Sequence, residues 1–364
     1  MNFLSIDLHI AVNADIRNIF NQLGHTVEEI SMGGHPSVIG RPAGNIPMLK
    51  GDNWCSTIQE RKHEEFYNKY KEQFKKYDGF ICCYPPIFSM LYKNFEKPII
   101  IQIPIRYECG ADNNPELWQE FNEYLRNGID NGQIFISANN IYDQKYASGF
   151  INREDNYIPS LCSYTGMSYN PVNELFLYYS SFNVNDESGR MIKKHSAMSG
   201  GHAWQNIADY KGCIHYPYNV STMSIFEQYT ANIPLFFPSM RYLLEMWLSR
   251  TPILDQISWQ QQQGERAKSF SLIPHNFKYD PNNFTDYDSV RYWLKYADYY
   301  CENMKCIQYF DSVEERDMIL SFDQKALLDI SEQMKEHNKE REYFIIKKWE
   351  NVLRVIKGEK VMFK

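Results

Sequence analysis

The chain has little of what usually announces an active site. Among its 364 residues there is no G-x-G-x-x-G turn, no G-x-x-x-x-G-K-[ST] loop and no G-x-S-x-G elbow, so the common dinucleotide, NTPase and serine-hydrolase readings lose support. Eight cysteines, at 55, 82, 83, 109, 162, 213, 301 and 306, form no C-x-x-C pair and no zinc spacing, which disfavours a disulfide framework and a structural metal. His63-Glu64-Glu65 lacks the second histidine of a zinc-protease helix. Positive charge is short as well. The 38 Lys and Arg stand against 45 Asp and Glu, a net −7, which argues against nucleic acid or an anionic membrane as the main partner. Apolar runs such as Ile99-Ile100-Ile101 and Ile233 to Pro238 are far below the ~20 residues a spanning helix needs, and no transmembrane segment is expected. The start, MNFLSIDLHIAV, has no basic region ahead of a long apolar one and reads as a strand from Phe3. A cytoplasmic chain with reduced cysteines is the expectation. The sequons Asn219-Val220-Ser221 and Asn283-Phe284-Thr285 agree with it, since glycosylation of the first would obstruct a functional turn.

What is present is ample apolar matter, 43% hydrophobic with 15% aromatic, in a length natural for two domains. Strands are expected at Phe3 to Leu8, Thr26 to Ile30, Gly79 to Tyr84, Lys97 to Ile103 and Gln133 to Ser137. Helices are expected at Asn13 to Leu23, Ile58 to Lys76 and Trp118 to Asn127, with Gly24 as a stop. Ser31 to Gly51 is a long Gly- and Pro-rich loop carrying Gly33-Gly34-His35-Pro36. The second half repeats the alternation, with a strand at Leu175 to Phe182 and helices at Tyr242 to Arg250, Tyr292 to Tyr300 and Val313 to Leu320. A charged tail from Lys325 to Val355 reads as two helices, and Thr251 to Ser289 as a long polar loop. Such alternation predicts an α/β protein of two doubly wound, Rossmann-like domains facing a cleft, followed by C-terminal helices. The boundaries read as 1–162, 163–335 and a helical tail over 336–364, long enough to cross back to the first domain.

One stretch, Lys211 to Ser239, is a complete β-α-β unit with an anion site built in. Cys213 to Tyr216 is a short strand, Tyr218-Asn219 a turn, and Ile233 to Phe237 the next strand. Between them Ser221, Thr222 and Ser224 offer hydroxyls at a helix start, and Glu227 follows Ser224 at the spacing of a capping box. A helix that begins right after a strand presents free N–H groups and a positive dipole end, which suits a nucleotide diphosphate. A capping box also needs no ligand, and His215 also suits a core histidine with a partner.

The arrangement His215, Tyr218-Asn219, Ser221, Thr222, Ser224 and Glu227, followed by Pro234 and a strand, resembles the donor-binding segment of GT-B-fold glycosyltransferases. The Tyr-, Asn- and Lys-rich composition is similar to that of the glycosyltransferases of large DNA viruses and AT-rich bacteria. The resemblance implies a nucleotide-sugar donor on the second domain, its diphosphate at Ser221 to Ser224 and its ribose at Glu227, with Arg190 and Lys193 neutralising the leaving group. It implies an acceptor glycan or other hydroxyl on the first domain, where His9 or His35 would be the base, Asp7 an orienting or alternative group, and Arg106 and Glu108 acceptor contacts. No cofactor or metal is implied. Asp286-Tyr287-Asp288 matches a metal-binding D-x-D but precedes a helix, and capping explains it better. A nucleotide-sugar epimerase of the same fold and a noncatalytic nucleotide- or glycan-binding protein remain the alternatives.

Overall fold

The computed structural model describes residues 1–33, 40, 44–51, 53–111, 114–153, 156–198, 203–258, 261 and 277–359. They form two units, each built on one parallel sheet. The first takes Met1–Ser160 with segments from Ala267–Thr285 and Ile345–Lys364, and the second takes Leu161–Arg266 and Asp286–Phe344.

The first unit runs β1 (Asn2–Asp7), α1 (Ile10–Gln22), β2 (Thr26–Ser31), α2 (Asn53–Gln59), α3 (His63–Phe74), β3 (Gly79–Cys82), a 3-10 stretch over Pro86–Phe95, β4 (Ile99–Ile103), α4 (Pro115–Asp130), β5 (Ile134–Ala138), α5 (Ile141–Ile151) and β6 (Asn156–Tyr157). Its strands are ordered β2-β1-β3-β4-β5-β6. All four isoleucines of β4 are buried, as a strand covered on both faces requires, each contributing about 1.5–3 kcal/mol. The single helix expected over Ile58 to Lys76 is in fact two, because Arg61 adopts a positive φ of 54° between α2 and α3. Pro115 in the first turn and the Asn114 side chain, accepting from Leu117 N, start α4 ahead of its apolar stripe.

The second unit runs β7 (Phe176–Tyr179), β8 (Met191–Lys193), α6 (Lys194–Ala197), α7 (Trp204–Ala208), β9 (Cys213–His215), α8 (Met223–Thr230), β10 (Leu235–Pro238), α9 (Met240–Leu248), α10 (Tyr287–Leu294), β11 (Gln308–Phe310) and α11 (Val313–Ile319). The last helix, α12 (Gln324–Ile356), is one continuous element of 33 residues where two were expected. Its Trp349 stacks edge-on against Phe20 in the first unit's own core. Strand order is β8-β7-β9-β10-β11. Counted within each sheet, the orders read 2-1-3-4-5-6 and 2-1-3-4-5, the doubly wound pattern whose direction reverses between the first and third strands. Two doubly wound units were expected, and two are present.

Candidate functional site

In such sheets ligands sit outside the carboxyl ends of the strands, at the reversal point. In the second unit that point lies between β7 and β9, and the last residues there are Tyr179 and His215, paired in register. The register continues to Phe237 on β10, so three rings fall in one row on one face. Strand spacing is close to ring-stacking distance. Accordingly His215 lies 4.6 Å from the Tyr179 ring on one side and 4.6 Å from Phe237 on the other, and Tyr299 extends the stack beyond Phe237 at 4.6 Å. His215 Nε2 meets Gln228 Oε1 at 2.7 Å, and burial pushes the imidazole down to about 4, so it is neutral. His215, expected to touch the donor, is instead enclosed as a core residue.

Helix α8 starts directly beyond this row. Its N-cap is Thr222, extended at φ −147° and ψ 146°, whose side chain makes no cap bond. The expected capping box is therefore absent: the helix begins ahead of Ser224, whose Oγ pairs with Thr222 Oγ1 at 2.9 Å. Glu227 turns inward, 6% exposed, and accepts from the Tyr164 hydroxyl. Asn219 is likewise used by the fold, donating to Gln256 O at 2.7 Å and accepting from Val220 N at 2.7 Å. Tyr218 is half-buried beside it. Ser221 differs. It is 4% exposed, and its Oγ is enclosed without a hydrogen-bond partner among the described residues. The start of α8 thus combines an N-cap residue whose side chain makes no cap bond, a hydroxyl pair and one buried hydroxyl without a partner among the described residues.

The two expected cations separate. Arg190 precedes β8, its carbonyl accepts from Phe176 N at the start of β7, and its guanidinium donates to Leu320 O at 3.2 Å. It therefore stands at the amino edge of the sheet, opposite the α8 start, away from the donor groups it was expected to join. Lys193 ends β8 at the carboxyl edge, with Nζ 3.2 Å from both Phe182 O and Asn183 Oδ1.

In the first unit the reversal point lies between β1 and β3. Asp7 closes it: its carboxylate accepts from His9 N at 2.5 Å, Cys83 N at 3.0 Å and Tyr84 N at 2.7 Å. Those bonds go to backbone, so Asp7 does not orient the His9 imidazole as expected. Burial pushes the Asp7 carboxyl up to about 8. His9 is the N-cap of α1, makes no side-chain cap bond, and packs edge-on to Tyr84 at 6.2 Å. Its Nδ1 is enclosed without a partner among the described residues, and burial lowers its pKa. Gly33 passes so close that a Cβ there would stand 2.2 Å from Leu8 O. His35 lies outside the described residues.

Arg106 and Glu108, expected to meet an acceptor, are internal, 2% and 0% exposed. Arg106 donates to Asn282 Oδ1, to the Tyr142 hydroxyl at 2.7 Å and to Pro281 O at 2.5 Å, and lies 4.0 Å over the Tyr146 ring. It fastens the returning segment near residue 282 to the first unit's core. Asp286 caps α10 by accepting from Ser289 N at 2.8 Å, which accounts for the D-x-D pattern. Residues that sequence reasoning missed are Tyr179, Phe237 and Tyr164, which enclose His215 and Glu227. The end-of-strand position of Tyr179 and Phe237 was the available signal.

No family model and no curated protein matches the sequence. Solved structures similar to this chain include glycosyltransferases. CalG4, the calicheamicin glycosyltransferase, is 9% identical over 97% of this chain and 98% of its own, with a TM-score of 0.39. SnogD from Streptomyces nogalater is 10% identical over 95% and 99%, with a TM-score of 0.40. The glycotransferase of kitacinnamycin is 9% identical over 94% and 97%, with a TM-score of 0.39. Among the described residues no helix is long and apolar enough to cross a membrane.

Proposed function

We propose that this protein is a cytoplasmic GT-B-type glycosyltransferase that moves a sugar from a nucleotide-sugar donor to a saccharide or other hydroxyl acceptor. The observation that carries the reading is Ser221 at the start of α8, beside a reversal point: it is buried, and its hydroxyl has no partner among the described residues. Buried polar groups are ordinarily paired, and a diphosphate oxygen is an acceptor suited to Ser221, the hydroxyl pair and the first-turn N–H groups together. These donors would stabilise the charge that develops as the diphosphate leaves. Glu227, one turn further along, would meet the ribose on release from Tyr164. In the first unit His9, neutral through burial, would take the proton of the acceptor hydroxyl.

Because helix donors and hydroxyls serve the leaving group, transfer should need no added metal, and turnover in EDTA checks this. Calorimetric titration with UDP, GDP, CDP and dTDP tests the donor site. At least one should bind, and Ser221→Ala should weaken it roughly ten- to hundredfold, the worth of one hydrogen bond to a charged group. No binding by any of the four overturns the reading. Isomerisation of the donor without acceptor would make the protein an epimerase instead.

A further inference from the structure

The carboxyl end of α8 is held by side chains of α12. Asn338 Nδ2 donates to Tyr229 O at 2.6 Å and to Asn232 Oδ1 at 2.8 Å. Arg341 Nη1 donates to Thr230 Oγ1 at 2.9 Å and to Asn338 Oδ1 at 3.3 Å, which joins the two side chains. The Tyr229 hydroxyl donates to Lys305 O at 2.9 Å and lies 2.7 Å from His337 Nδ1. Arg341 is 5% exposed, with its guanidinium 5.8 Å from the Phe226 ring and 5.5 Å from the Tyr229 ring, both on α8. One turn of α12 therefore grips the last turn of α8 through a backbone carbonyl, a side-chain oxygen and two rings.

We propose that Asn338 and Arg341 are positioning residues for anion binding at the other end of α8. The proposal rests on the donor reading above. Helix α8 has eight residues and is about 12 Å long, so a ten-degree swing about its carboxyl end carries the first-turn N–H groups about 2 Å. Hydrogen bonds to a diphosphate do not survive such a shift. The Arg341 cation also faces the negative end of the dipole whose positive end faces the anion, so both charges favour the same helix and the same orientation. Asn338 adds direction, because its amide reaches the Tyr229 carbonyl and the Asn232 side chain at once. Neither residue touches the ligand.

The test is titration of the full chain with UDP, GDP, CDP and dTDP and with the four parent nucleosides, for wild type, Asn338→Ala, Arg341→Ala and Arg341→Lys. Loss of positioning weakens the bound diphosphate about three- to tenfold in both alanine variants and leaves its nucleoside within about twofold, while Arg341→Lys recovers part of the loss. A merely structural role lowers the folded fraction and scales both ligands equally, so the ratio of the two affinities separates the cases. Equal losses, or none, overturn the proposal while the donor reading stands. If Arg341→Ala fails to fold, Asn338→Ala decides alone. No diphosphate binding by wild type removes the donor reading and this proposal with it.

Discussion

The two sheets share a strand order and end differently. At the carboxyl edge of the first, the closing row is polar, with Asp7 opposite Ser31 and Gln102 opposite Ser137. In the second it is aromatic, Tyr179, His215 and Phe237 side by side. The polar row ties backbone to backbone, since Asp7 takes three N–H groups from the chain after β1 and β3. The aromatic row closes by stacking, and among the described residues its side chains take no backbone donors. Each unit also offers one helix start at its reversal point, from opposite flanks: α1 follows the first strand of its sheet, and α8 follows the third of its own. Beside each helix a polar atom is left without a partner among the described residues, His9 Nδ1 in one and Ser221 Oγ in the other. A shared topology thus ends in two differently filled rows, and under the proposed function the first would handle the proton and the second the anion.

The largest effect that would break this division is on turnover. If His9 takes the acceptor proton, His9→Ala lowers kcat about 10²–10⁴-fold and leaves nucleoside diphosphate affinity unchanged. A loss under about tenfold, read by steady-state kinetics, removes His9 as base and leaves α1 a purely structural start. Next comes Asp7→Ala, which strands three N–H groups in a buried site. It should destabilise the first unit by about 3 kcal/mol or more, seen as faster amide exchange in β1 and β3 with β9 and β10 unaffected. Equal exchange in both units would mean that they unfold as one.

Opposite pH responses sharpen the comparison further. Asp7, pushed up to about 8, keeps in the folded chain a proton that the unfolded chain loses above about 4. Its contribution is full below about pH 4 and declines as pH rises to 8. His215, pushed down to about 4, stays neutral where the unfolded chain takes a proton below about 6.5. Its contribution is full above about pH 6.5 and is lost as pH falls to 4, amounting to about 2 kcal/mol at pH 5. Between pH 7 and 5, exchange protection should therefore rise in β1 and β3 and fall in β7, β9 and β10. His215→Phe should abolish the second change and not the first.

The sheets were legible because their strands are apolar runs bounded by Gly, Pro and Asn, a local signal. Gly79 to Cys82 and Ile99–Ile103 lie inside the ranges the pattern predicts. Strand β8 and helix α5 were missed, the first being three residues long and the second nearly uniform in polarity around its axis. The start of α8 shows where local chemistry misleads. Ser224 and Glu227 have capping-box spacing, yet the backbone turns extended at Thr222 and tertiary contact with Tyr164 claims the carboxylate. Arg106 reads as a site residue from its position after a strand and His215 through the resemblance, whereas a segment about 175 residues away and two neighbouring strands enclose them. Such partners follow from register and chain return, which no local window contains.

The smallest expected effect discriminates between the two edges of the second sheet. Arg190 and Lys193 lie three positions apart on and beside β8, and a charge count treats them alike. A parallel strand does not, because its ends face opposite edges. Arg190 stands at the amino edge, bonded to Leu320 O, and Arg190→Ala should leave nucleoside diphosphate affinity within about twofold. Lys193 stands at the carboxyl edge, where the anion would bind, so Lys193→Ala should weaken binding by about two- to fivefold, the worth of an exposed charge at that distance. The difference should shrink as salt rises from 50 to about 500 mM, since screening acts over about 10 Å or less. If Arg190→Ala proves the costlier substitution, the anion binds at the other edge and the α8 assignment fails with it.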